Sequence, residues 1–228
     1  MAVAAKLGKS LKDQNRWQLW LVIAANTVFL YTVIQANDIK LNGLKAVFTD
    51  ASNLVSAGFA LLITTVISNL LSADLKARLV FLRWKHALPG HRAFTVYGPR
   101  DPRVDMAALA QTYGPDLPTD AAKQNTLWYR IFQTVTDEPQ ILHTHRDFLL
   151  LRDYTAIAAI CTLVYGVTAA FCIGSGRICS LYVVMLLVQL VVVRQSAFNS
   201  GVRLVTNSLA MACHKKAPLK RSGSRGST

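Results

Sequence analysis

Four stretches of this 228-residue chain contain no Lys, Arg, Asp or Glu: those between Arg16 and Asp38, Asp50 and Asp74, Asp153 and Arg177, and Arg177 and Arg194, with 21, 23, 23 and 16 residues. A helix rises about 1.5 Å per residue, so about 20 apolar residues cross the roughly 30 Å hydrocarbon layer of a bilayer. Lipid offers no hydrogen-bond partner, and a helix satisfies its backbone donors and acceptors within the segment. The first three stretches meet that length outright. The fourth, 178–193, is shorter but very apolar, and Arg194 at its end can lay its stem along the apolar layer and reach the headgroups. The expected class is all-α: a four-helix transmembrane bundle with helices extended into a helical cytoplasmic module. Composition agrees, with 52% hydrophobic and 16% charged residues against about 25% charged in soluble domains.

Lys6, Lys9, Lys12 and Arg16 resemble the basic start of a secretory signal. The apolar run 17–36 is longer than a signal core, however, and no small-x-small cleavage pattern follows it, so it is expected as an uncleaved first span. Lys and Arg then set the orientation. The N-terminal tail carries four, the 37–50 loop two, the 74–153 loop eleven, the 174–177 loop one and the segment from Arg194 onward seven. That alternation places both termini and the long loop in the cytosol. The expected order is a tail (1–16), two spans with a short outer loop (17–73), a cytoplasmic module (74–153), two spans (154–193), a helical extension (194–214) and a disordered basic tail (215–228). Arg16, Trp17 and Trp20 at one boundary and Arg194 at another are the expected interface anchors. The net charge of +13 follows from this topology, so a lipid bilayer, not nucleic acid, is the implied partner. A bacterial cytoplasmic membrane fits such a chain best.

The second span carries an unbroken row of small side chains at every fourth position: Ser52, Ser56, Ala60, Thr64, Ser68 and Ser72. The neighbouring row includes Asn53, Thr65 and Asn69, while Leu54, Phe59, Leu62, Val66 and Leu70 occupy the opposite side. The third span has Ala158, Thr162, Gly166, Ala170 and Gly174 at the same spacing. Small rows let backbones approach closely where lipid gives no hydrophobic drive, so spans two and three are expected to pack along them. Two readings compete for the face of Ser56, Ala60, Thr64, Ser68 and Asn69. Its hydroxyls bond back to their own helix, or the face lines a water-filled path in an oligomer.

On the cytoplasmic side, Leu71, Leu75, Leu79 and Leu82 extend a helical stripe beyond span two, to end near Leu88-Pro89-Gly90. Segment 93–97 could be extended. Asp101-Pro102 is expected to start a helix through Val104 and Tyr113, Thr119 to cap one through Trp128 and Val135, and Thr136 to cap one that continues into span three. Phe198, Val202, Val205, Leu209 and Ala212 repeat at 4, 3, 4, 3, a helix seam beyond span four. Cys172 and Cys179 could pair if the exterior is oxidising.

No P-loop, zinc-protease, nucleophile-elbow or dinucleotide motif is present, so no catalytic residue and no cofactor is expected. His86, His143 and Asp147 are the one trio that could hold a metal; His–Asp and Arg–Asp pairs tying helices together are the better reading, so no metal is expected. The leading expectation is a membrane-anchored assembly or sensing subunit, self-associating or holding a cytosolic protein partner. A pore-forming effector gated by the module is the alternative, and a membrane-surface enzyme the outsider.

Overall fold

The computed structural model describes residues 15–35 and 51–214, leaving aside the side chains of 51–57, 60, 68 and 69. The expected outer loop and both tails lie outside the described residues. Those described form helices without strands: α1 (Arg16–Ile34), α2 (Ala51–Leu70), α3 (Ala73–Phe81), α4 (Met106–Tyr113), α5 (Ala121–Val135), α6 (Pro139–Cys172) and α7 (Gly176–His214). The link from α3 to α4 holds a 3₁₀ turn (Pro89–Arg92), a π turn (Ala93–Tyr97) and one helical turn (Gly98–Arg100).

Among the described residues, three helices are long and apolar enough to cross a membrane: α1, α6 and α7. Four crossings were the expectation. The helix short of that count, α2, has 20 residues and no charge. With 34 and 39 residues, α6 and α7 exceed by far the ~20 residues that the hydrocarbon layer requires, as continuation into a second region demands.

Several expected boundaries shift, for local reasons that differ from one to the next. Span two does not run on: the chain breaks at Leu71–Ser72, where the Ser72 hydroxyl accepts from Leu75 N and starts α3. The stripe ends early, at Leu82 in the left-handed conformation (φ 49°). The 93–97 segment is a π turn rather than a strand. Asp101 caps no helix because its carboxylate is bound by Arg103 Nε (3.0 Å) and Nη2 (2.7 Å); Asp105 caps α4 instead, accepting from Ala107 and Ala108 N. Asp120, not Thr119, caps α5. Thr136 closes α5 rather than opening α6, which begins at Pro139, where the missing proline N–H costs nothing.

The chain divides into two compact units, one of residues 1–88 with 143–201 and the other of 89–142 with 202–228. The first is the bundle. Ile23, Leu30, Ile157, Cys161, Tyr165, Ala169, Tyr182 and Leu186 form its buried core. Its outer surface is apolar as well: Val28, Phe59, Leu62, Val66, Leu163, Val167, Leu181, Val188 and Val192 are all more than half exposed. Water would penalise that surface at about 25 cal/mol per Å², whereas lipid does not. Toward the Ser72 end of the bundle, Phe81 meets Phe148 and Phe198 at ring separations of 6.3 and 5.4 Å. Gly201 admits these rings: a Cβ there would stand 2.7 Å from Phe81.

The second unit buries Leu109, Trp128, Ile131, Phe132, Val135, Val205 and Leu209. Gln124, Trp128, Ile131, Phe132 and Val135 form one face of α5, the spacing of an amphipathic helix in water. Gly90 lies so close to that face that a Cβ would stand 2.5 Å from the Trp128 ring.

Candidate functional site

Deep in the bundle, three segments converge on Tyr165 of α6. Its hydroxyl and that of Thr27 lie 2.7 Å apart, and Thr27 Oγ1 also donates to Ile23 O of its own helix. Thr64 of α2, wholly buried, sits beside the same phenol, although its Oγ1 forms no hydrogen bond of its own. Tyr182 on α7 is buried too, with its hydroxyl unpartnered. Two tyrosines, two threonines and Cys161 thus lie together in the interior, with no charged group among them. Such a set orders helices through hydrogen bonds and shape.

The row of small residues on α6 is divided along its length. Ala158 is buried, Thr162 Oγ1 donates to Ala158 O and approaches Leu186 O of α7 at 3.4 Å, and Gly166 faces Val183 of α7. Ala170 and Gly174 are exposed. The row therefore serves the α6–α7 contact, while the α2–α6 contact at Thr64 uses the bulky Tyr165. α6 and α7 are consecutive antiparallel helices joined by a tight turn, and close approach is needed there. Ser56, Ala60, Ser68 and Asn69 lie outside the described side chains. On the other side of α2, Phe59, Leu62, Val66 and Leu70 are exposed.

At the Ser72 end of the bundle, Lys76 of α3 and Asp153 of α6 form an ion pair at 3.4 Å with side chains only 8% and 4% exposed. Arg152 donates to the same carboxylate oxygen through Nε and Nη2. Asn15, just before α1, donates to Arg146 O and accepts from Arg146 Nε. These contacts tie α1 and α3 to α6. Burial, assisted by the Arg152 charge, holds the His145 imidazole below its ordinary pKa, so it favours the neutral form. His143 pairs with Asp147 at 3.0 Å on an exposed face. His86 does not join them, and no group of three metal-ligating side chains occurs among the described residues. Trp17 and Trp20 are exposed beside Arg16, and Arg194 is half-buried. Cys172 and Cys179 are both free thiols.

The second unit is organised by Gln124. Its Oε1 accepts from Phe94 N, Thr95 N and the Thr95 hydroxyl, and its Nε2 donates to Thr119 O. One buried side chain thereby satisfies the backbone of the π turn. Asp101 is held well below the usual carboxylate range, first by its hydrogen bond from Arg103 and then by the Thr206 hydroxyl. Cys213 Sγ donates to Asp105 O, and burial pushes its thiol up.

The Tyr165 cluster has a sequence signal: tyrosine belongs at membrane interfaces, and Tyr165 stands in the middle of a charge-free stretch. Gln124 and the Lys76–Asp153 pair have none, because each depends on a partner remote in sequence. Comparison with family models, with curated proteins and with solved structures found no match.

Proposed function

We propose that this chain is a four-span protein of a bacterial cytoplasmic membrane, with both termini in the cytosol. It acts as a membrane-anchored assembly or sensing subunit whose helical module binds a cytosolic protein partner. Matched depths support the four crossings. Thr27 lies 11 residues past Arg16, Thr64 10 before Asp74 and Tyr165 12 past Asp153, and the three cluster together. Thr162 lies 9 past Asp153 and meets Leu186, 8 before Arg194. At about 1.5 Å per residue these offsets bring Arg16, Asp74, Asp153 and Arg194 into one layer, as a shared membrane boundary requires.

The observation that carries the anchor reading over a pore is the placement of Thr64. It is buried against Tyr165 while the apolar side of α2 faces outward. A pore lining would have the reverse, with hydroxyls open to water. The test has two arms. Full-length protein in liposomes is expected to pass no ions; flux abolished by Thr64→Leu would replace this reading with a pore. A photo-crosslinking amino acid at Tyr129, which is 52% exposed on α5, is expected to capture a protein partner in cells. Capture of a second copy alone would make the module a self-assembly device.

A further inference from the structure

At the start of the second, non-bilayer stretch of the chain, α3 and the residues after it build a groove of about 240 Å³ lined by Leu75, Arg78, Leu79, Leu82, Arg83 and Trp84. Like the rest of the bundle surface its walls are apolar and open: Trp84 is 81% and Leu82 67% exposed. What sets it apart is its charge. Its only charges are two arginines. Arg78 is bound to Asp74 at 2.6 Å, while its Nε and Arg83 Nη1 are buried beneath the groove without an acceptor. Arg83 has no acidic partner among the described ion pairs.

Asp74 stands in the boundary layer described above, so α3 starts where headgroups begin. An exposed Trp beside Arg is the composition of that layer: the indole sits among headgroups, and guanidinium binds phosphate through two donors at once. We propose that this groove binds one anionic glycerophospholipid of the cytosolic leaflet. The phosphate accepts from Arg83 and Arg78, and the first methylenes of an acyl chain lie on Leu75, Leu79, Leu82 and Trp84. The proposal rests on the membrane reading above. Charge complementarity identifies the occupant, because a zwitterionic lipid would offset its phosphate with its own cation.

The test uses the full chain in nanodiscs of phosphatidylcholine with phosphatidylglycerol as the probe. Native mass spectrometry after mild detergent release reads which lipid stays bound. Wild type is expected to retain phosphatidylglycerol preferentially. Arg83→Gln should cut that preference about fivefold, the weight of one arginine near an anionic surface, and Trp84→Ser should reduce retention of both lipids. Equal retention by wild type, or an undiminished preference in Arg83→Gln, overturns the proposal. Should Arg83→Gln fail to fold, titrating wild type with rising phosphatidylglycerol decides by itself: a saturable single-lipid adduct supports the site, and its absence overturns it. Displacement by inorganic phosphate alone would overturn the lipid assignment. If carbonate extracts the chain from membranes, the membrane reading fails and the groove proposal with it.

Discussion

In both regions hydroxyls turn back on their own helices, as at Thr112, Thr126 and Ser208 of the module; the regions differ in that the module also uses carboxylates and an amide to hold its turns and helix starts. Thr27, Thr65, Thr155, Thr162 and Thr168 each donate to the carbonyl four residues earlier. The Thr27–Tyr165 bond and the Gln189–Tyr154 bond at 3.0 Å join side chains of two bundle helices. In the module, Gln124 gathers a turn, a loop and a helix, while Asp105 and Asp120 cap helix starts and Asp101 fastens Arg103. Solvent explains the difference. In lipid, a hydroxyl has no competitor for its own helix carbonyl, and helices are joined by close packing. In water, loops survive only if a side chain replaces the hydrogen bonds that water offers.

The comparison would be broken most sharply at the buried ion pair of the bundle. Asp153→Ala leaves Lys76 charged and buried, a change that costs about 3–5 kcal/mol. Thermal unfolding in detergent should show a large loss, and the double variant Lys76→Met/Asp153→Leu should recover most of it. A small loss for the single variant would mean that water reaches the pair. Next comes Gln124→Leu, which leaves Phe94 N and Thr95 N without their acceptor. A buried donor left unpaired costs about 1–3 kcal/mol, and hydrogen exchange should rise first in 93–97. Tyr165→Phe should cost less, about 0.6–1.7 kcal/mol, the range for hydrogen bonds between membrane helices. If it costs as much as Gln124→Leu, the two regions are not held differently.

The smallest effect concerns acid. The folded pKa of Asp101 is lowered from 3.8, so its contribution is fully present above about pH 4 and is lost as pH falls through the lowered value. Asp101→Asn should therefore flatten the acid limb of the module's stability curve and leave the neutral region nearly unchanged apart from the weakened Arg103 contact. Urea unfolding between pH 2 and 6 would show this; an unchanged acid limb would put the dependence elsewhere.

How far the fold was legible follows from the range of each signal. The charge-free stretches locate α1, α2 and the apolar parts of α6 and α7, because a run without charge is a property of the chain alone. Three of the four, α1, α6 and α7, are long and apolar enough to cross a membrane among the described residues. Of the seam Phe198, Val202, Val205, Leu209 and Ala212, the last three are buried and the first two partly so, and Leu204, Thr206, Asn207 and Ser208 off the seam are buried as well. The apolar side of α2, read from Phe59, Leu62, Val66 and Leu70, is its outward side. Helix starts were less legible: Asp101, Asp105, Thr119 and Asp120 are all chemically fit to cap, and the Arg103 side chain and the local backbone choose among them. The proposed lipid groove was visible only as a leucine stripe, since the turn at Leu82 that exposes Trp84 follows no periodicity.

The sequence by itself determined that the chain is helical, where its apolar lengths fall, and which faces of those lengths are small or large. Tertiary structure decided what each face touches. A row at every fourth residue offers a shallow groove, but any neighbour with a matching ridge can fill it. On α6 that neighbour is α7, at Val183 and Leu186. On α2 the buried face at Thr64 meets the Tyr165 phenol, a contact that depends on a residue 101 positions away along the chain.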